Sequence, residues 1–421
     1  MKIKKRAISL EIIFSVLIIL LPFFYQYKGI GNIISFGEVL LAPFIAYYTF
    51  QSIGRIKKKD INRPLLYYYA GGLALTCLNI FAQYFSLEAA STIVLRLIYY
   101  LLLVFVARRH FRFDEVRKFY NYLVIIASLY LIAQFIMYHG FGHILPIYLK
   151  LEWQFPPEAR PINIYTLGFR PSSLFLEASY FALFVLPSIC INLFTEYRKP
   201  IDTVTFITAC VAIVLSTSSA GVIGVALLLF IKMFRSKEKL SVKRVSFNIL
   251  MIVAVITAAS YIMTSQNSLL LRSRLTSGGS IGERVLRGFI VYGKLPLFHK
   301  IFGVGIGNME SYMLYNGIST IYDESNLNSC ASVAQTMVYF GIIGLCFLLY
   351  FIYSSIKRAK GNIGFPLAIL LTYIMCYDNI MFYFKFAFIF ILLEAIVKEE
   401  SSPKRGTPFC FVKTKLQEET V

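Results

Sequence analysis

Charge is scarce in this chain. Asp, Glu, Lys and Arg make up 15% of its 421 residues against 57% hydrophobic ones, whereas an average soluble domain is roughly a quarter charged; a soluble globular protein is excluded. Histidine is rare as well, and His110, His139, His143 and His299 stand at spacings that suit no metal site. The seven cysteines form no C-x-x-C pair and lie mostly in apolar runs, which argues against a disulfide framework and a metal centre. There is no D-x-D sequence to hold a nucleotide-sugar metal, no internal repeat, no low-complexity tract and no alternating pattern of barrel strands. The Gly303-Val304-Gly305-Ile306-Gly307-Asn308 stretch lacks the βαβ setting of a dinucleotide fingerprint.

What the chain has in abundance is apolar runs long enough to cross a bilayer as helices, roughly 20 residues each, recurring from Ile8 to Val397. The expected fold is all-α: a polytopic integral membrane protein of about 12 transmembrane helices. Most Lys and Arg of the +20 net charge fall in short loops between the runs, as in Arg55 to Lys59, Arg108 to Lys118 and Lys232 to Arg244. That is the positive-inside pattern, so the basic charge speaks for topology and against nucleic acid. Both termini are expected in the cytoplasm, with residues 1–397 as one membrane domain and 398–421 as a basic cytoplasmic tail. The first run follows Lys2 to Arg6 without a small-residue cleavage site and reads as an uncleaved span. Two long outer loops follow from the count: about 139–172, and a larger one at about 264–328 between spans nine and ten.

With the cytoplasmic charges placed, the outer side still holds Arg160 and Arg170 in one loop and Arg272, Arg274, Arg284, Arg287, Lys294 and Lys300 in the other. Guanidinium forks suit a diphosphate better than a single ammonium does. Arg284 and Arg287, three apart, would share one face of a helix; alternatively they pair with Glu283 or lipid headgroups. Glu177 lies in the stretch from Gly168 to Tyr180, where Pro171 can open a helix and Ser172 or Ser173 can cap it. A carboxylate there is either a favourable partner of the helix dipole or a general base, or an orienting partner for Arg170, at a water-accessible mouth. Asp378 and Lys385, within or beside apolar runs, either pair locally or border the outer cavity; the structural reading is preferred.

Three short stretches carry a resemblance. Arg170-Pro171-Ser172-Ser173-Leu174-Phe175-Leu176-Glu177 resembles the "RPSGLFLEP" segment of the O-antigen polymerase (Wzy) family and its O-antigen ligase relatives. Phe302 to Asn308, after Arg284 and Pro296-Leu297, resembles their "R…PLFGVGIGN" segment, and Ser218-Ser219-Ala220-Gly221 resembles their "SRGG" turn without its arginine. No histidine stands beside Asn328-Ser329, where the ligases typically carry a His-Asn pair; this favours polymerase over ligase. The resemblance implies a surface polysaccharide (O-antigen or capsule) polymerase in the bacterial inner membrane. It would transfer a growing glycan from undecaprenyl diphosphate to a hydroxyl of the next lipid-linked repeat unit on the outer face. The alternatives are a ligase-type glycan transferase and a lipid-linked oligosaccharide flippase; a flippase would be expected to concentrate charge at the midplane and show repeats. The enzyme would be metal-independent and need no cofactor, with Glu177, Arg170 and Arg284 catalytic and Arg160, Arg287, Arg272, Arg274, Tyr180 and Asn308 binding substrate. Membrane lipid, a flippase and a chain-length regulator are its expected partners.

Overall fold

The structure, a computed structural model, describes residues 9–30, 34–52, 61–146, 169–196, 198–235, 282–318, 330–383 and 387–401. Among these residues the regular structure is helical, in fourteen α-helices. They are α1 (Leu10–Phe24), α2 (Phe36–Ser52), α3 (Arg63–Cys77), α4 (Leu87–His110), α5 (Phe113–Phe141), α6 (Ala178–Phe194), α7 (Pro200–Leu215) and α8 (Ser219–Arg235). After a π-helical turn at Gly282–Leu286 come α9 (Arg287–Lys294), α10 (Leu297–Phe302), α11 (Met309–Tyr315), α12 (Ser332–Arg358), α13 (Gly364–Tyr377) and α14 (Ala387–Glu400).

Local chemistry sets the helix starts. Ser35 and Glu38 form a reciprocal cap on α2, the serine Oγ accepting from the Glu38 N–H and the carboxylate from the Ser35 N–H at 2.6 Å. Asn62 caps α3 ahead of Pro64, and Ser86 caps α4. At the other end of α5, Gly142 takes the left-handed conformation that releases the chain.

Helices α4, α5 and α12 are long and apolar enough to cross a membrane, and α1, α6, α7 and α13 are shorter apolar helices. Eleven of the twelve expected spans therefore contain a helix among the described residues, α1 to α8 and α12 to α14; the ninth, 247–263, lies outside them. Both the interior and the outward faces are apolar. Tyr122, Ile126, Leu129 and Ile136 form an exposed apolar stripe on α5, as Val204, Ile207 and Val211 do on α7, surfaces that lipid rather than water would cover. At the centre stands α6, nearly every residue of which is buried, as expected of a helix apolar all round. It packs against α5, α7, α8 and α13.

Helices α1 to α8 run alternately between two ends of the bundle. Helix α12 runs parallel to α8, with Arg235 at the end of α8 donating to the Lys360 carbonyl just after α12; α13 and α14 alternate again, and the ends differ in chemistry. At one end Glu394 of α14, buried, accepts from Arg358 of α12 at 2.9 Å and from Asn62 at 3.0 Å, and pairs with Arg108 of α4 at 3.4 Å. Arg117 of α5 pairs with Asp202 of α7 at 3.3 Å on the same side, and Glu11 meets His110 and Arg112. This is the basic end. The opposite end gathers the residues after α1, α3, α5, α7 and α13, together with α9 to α11. Described chain leaves at the basic end with Arg235 and returns at the opposite one with Gly282.

The Gly303 to Asn308 stretch is an anchor for this second end. Helix α12 is broken at Gly341 (φ 64°, ψ −161°), and one turn earlier the Val338 and Tyr339 carbonyls accept from the N–H groups of Val304 and Gly305 at 3.0 and 2.9 Å. Close approach demands glycine at Gly303 (φ 79°), where a Cβ would lie 2.2 Å from the Tyr339 carbonyl oxygen. Gly303→Ala should therefore lower the melting temperature of the detergent-solubilised protein, the strained backbone alone costing about 1–3 kcal/mol. An unchanged melting curve would mean the loop is not docked in the break.

Candidate active site

Between Phe169 and Glu177 the chain does not begin the helix that Pro171 and the serines suggest; α6 starts only at Ala178. The reason is Ser173, held at φ 59°. Its N–H donates to Gln134 Oε1 of α5 at 2.8 Å, its carbonyl accepts from Gln134 Nε2 at 3.0 Å, and its Oγ donates to the Ala127 carbonyl at 2.7 Å. Gln26, after α1, donates to the Leu174 carbonyl at 2.9 Å. Phe175 packs between Phe23 and Phe184. A non-glycine residue in the left-handed region is costly and is kept only where surroundings over-determine it; these bonds do so, and they place Glu177 as the residue before α6.

The Glu177 carboxylate does not cap its helix. It forms an ion pair with Arg284 Nη2 and accepts from Ser179 Oγ at 2.9 Å. Arg284 Nη1 in turn donates to Asp378 Oδ2 at 3.0 Å and to Ser179 Oγ at 3.2 Å. One guanidinium thus bridges two carboxylates from distant parts of the chain, one preceding α6 and one following α13. Its face lies 5.9 Å from the Tyr180 ring centroid, within reach of a cation–π contact. Desolvation opposes the Arg284 charge, but Glu177, Asp378, Tyr180 and Tyr377 outweigh it and hold the group protonated far above its usual range.

The two carboxylates are held differently. The Asp378 side chain is 7% exposed and that of Glu177 32%. Asp378 Oδ1 accepts from the Asn379 N–H at 2.7 Å, and its carbonyl accepts from Ser332 N–H and Oγ at 3.1 and 3.0 Å. Ser332 Oγ also accepts from Ile380 and Met381, so the start of α12 holds the turn after α13 through one side chain. Arg284 is tied to the same place, its carbonyl accepting from the Ala331 N–H at 2.5 Å.

Arg170 turns toward the junction of α7 and α8, where Nε donates to Thr217 Oγ1 at 3.3 Å and Nη2 to the Thr217 carbonyl at 3.2 Å. Thr217 is the second non-glycine residue at positive φ, 52°. Ser219 Oγ and Tyr377 OH, 3.1 Å apart, connect this turn to the residue preceding Asp378. Arg170, Glu177 and Arg284 are therefore brought to one end of the bundle, with Tyr180 beside them. The sequence offered Glu177 as a general base or as an orienting partner for Arg170; the structure also brings Arg284, from the other long loop, onto the Glu177 carboxylate.

Other expected site residues are placed elsewhere. Arg287 opens α9 and is 1% exposed, facing Cys330, while Arg284 sits in a π turn, whose register departs from the α-helical i, i+3 spacing. Asn308 is fully buried; it accepts from the Ser86 N–H at 2.6 Å and donates to the Ile306 carbonyl at 2.9 Å. That carboxamide fastens the Gly303 to Asn308 loop to the start of α4. Arg160, Arg272 and Arg274 lie outside the described residues. Asp378, expected to pair locally or to border the outer cavity, pairs with Arg284, 94 positions away. Its one signal was a carboxylate interrupting an apolar run.

Comparison with known proteins adds a family. A family model described as WcaD colanic acid polymerase matches residues 33–378, most of the chain, a segment that contains Arg170, Glu177 and Arg284 and ends on Asp378. No curated protein matches the chain.

Proposed function

The chain belongs to the WcaD colanic acid polymerase family, and from that premise we propose that the Glu177, Arg284 and Arg170 end of the bundle is where a lipid-linked glycan is extended. The protein is a Wzy-type polymerase of a capsular-type exopolysaccharide, a glycosyltransferase activity carried by a membrane protein. The finer reading is that the basic end faces the cytoplasm, the chain crosses twelve times as one membrane domain, and the site faces outward. There it transfers the growing glycan from undecaprenyl diphosphate to a hydroxyl of the next lipid-linked unit, without a metal.

In this mechanism the acceptor hydroxyl gives its proton to Glu177 as its oxygen bonds to the anomeric carbon. The bond from that carbon to the diphosphate oxygen breaks, and its electron pair leaves on the diphosphate. Arg170 and Arg284 face the negative charge that gathers on the leaving group, where fixed donors in a water-poor site stabilise it most. Tyr180 offers a ring at the same mouth. Arg160, Arg272 and Arg274 are proposed to add positive charge from the outer loops, and a flippase and a chain-length regulator to act alongside.

The observation that carries this reading is Glu177: a one-third-exposed carboxylate paired with arginine, beside an otherwise buried helix. The test is the surface glycan of a deletion strain, with and without the gene restored, together with its lipid-linked intermediates. Single repeat units in place of polymer are expected. Full-length polymer stranded on its lipid would indicate a ligase, and units trapped on the inner leaflet a flippase. Restoration with Arg170→Ala should give short or absent polymer at normal protein level; full-length polymer from an Arg170→Ala, Arg284→Ala double variant would remove both arginines from the mechanism.

A further inference from the structure

We propose that Asp378 is a positioning residue for polymerisation: it fixes the Arg284 guanidinium in one place so that Glu177 is presented to the acceptor hydroxyl as a correctly aimed base. The proposal rests on the reading of Glu177 as that base, and it concerns a residue that does not itself meet the substrate.

Three features of the geometry point this way. First, the guanidinium is shared, Nη1 with Asp378 and Nη2 with Glu177, so fixing one edge fixes the other. Second, the two carboxylates differ in exposure. Asp378 is locked by the Asn379 N–H and, through its carbonyl, by Ser332, while the Glu177 side chain is more open. The locked group can serve as the reference and the open group can move with the proton. Third, the lock reaches past the immediate pair. Asn379 Nδ2 donates to Gln335 Oε1, and Gln335 Nε2 to Tyr339 OH at 2.6 Å; Tyr339 is the residue whose carbonyl receives Gly305. The Gly303 to Asn308 anchor, the break in α12 and the position of Arg284 thus form one connected frame.

Charge gives the proposal a signature beyond stability. Two carboxylates share the Arg284 guanidinium. The phenols Tyr180 and Tyr25 and, from α13, Tyr377 also face this cluster, and Arg170 stands at the same end of the bundle, on Thr217. Neutralising Asp378 removes a like charge and leaves Arg284 wholly to Glu177. Both changes favour the carboxylate and lower its pKa, so the acid limb of the rate profile should move to lower pH even as the rate falls.

The test uses the full-length protein in liposomes supplied with lipid-linked repeat units, comparing the parent with Asp378→Asn, Asp378→Glu and Glu177→Gln across pH. Asp378→Asn is expected to lower kcat by about 100-fold, the scale of losing one preorganised electrostatic contact, with KM little changed and the acid limb shifted downward. Asp378→Glu should recover part of kcat and return the acid limb toward that of the parent. Parental kcat and acid limb in Asp378→Asn, with Glu177→Gln inactive, would overturn the positioning role and leave the base standing. Activity in Glu177→Gln would overturn the base, and this proposal with it. Should Asp378→Asn not reach the membrane, Ser332→Ala decides. Loosening the hold on the Asp378 backbone should lower kcat at unchanged KM, and an unchanged kcat with raised KM would refute the proposal.

Discussion

Glu177→Gln should reduce polymerisation by about 10²–10⁴-fold, the usual contribution of a positioned general base, while the protein accumulates and melts as the parent does. The second half of that expectation comes from the site itself. Glutamine keeps an oxygen that can accept from Ser179 and Arg284, and Arg284 retains its ion pair with Asp378 at 3.0 Å, so no buried charge is stranded. A residue that merely started α6 would behave differently, because Glu177 makes no side-chain cap to lose and activity would survive. The measurement is chain elongation in liposomes beside a melting curve of the same preparation. Parental elongation would refute the assignment of the base.

Arg284→Ala carries the second large effect, and it should damage both activity and stability. The substitution leaves Asp378 and Glu177 facing each other without their shared cation. Removing one partner of a buried ion pair costs about 3–5 kcal/mol, reduced here to the extent that water reaches Glu177. Adding Asp378→Asn to Arg284→Ala should restore much of the melting temperature without restoring elongation. The two losses are separable in that pair of variants, since stability follows the uncompensated carboxylates whereas the reaction needs the cation. Non-additive melting temperatures are the expected mark of residues in one network; simple additivity would mean the Arg284–Asp378 contact has little energetic weight.

Much of this architecture was legible because a bilayer leaves few choices. Eleven expected spans contain helices, and among the described residues Arg108, Arg117, Arg235 and Arg358 of the basic stretches stand at one end of the bundle. Local motifs were less reliable near the site. Pro171 and two serines read as a helix start, but Ser173 is held at positive φ by Gln134, thirty-nine positions away. The large loop read as one hydrophilic segment. In its described part, short helices α9 and α10 pack on α12, too short to announce themselves by periodicity. The RPSS…E and GVGIGN stretches both stood out, yet they do different things: the first places the carboxylate of Glu177 against Arg284, while the second is an internal fastening with Asn308 buried. Asp378 was visible as an anomaly in an apolar run. Its partner could not be read, because Arg284 lies 94 positions earlier and no local spacing links them.

The length of α12 bears on how substrates arrive. Its 27 residues make about 40 Å at 1.5 Å per residue, reduced somewhat by the break at Gly341, against a hydrocarbon core of about 30 Å. With Lys357 and Arg358 seated among one set of headgroups, Ser332 and the Asp378 it holds are lifted to the level of the opposite headgroups. A polyprenyl diphosphate places its phosphates at that height without leaving the bilayer. On the proposed mechanism donor and acceptor would therefore meet by lateral diffusion in a plane, and elongation would follow the surface density of repeat units in the leaflet, not their bulk concentration.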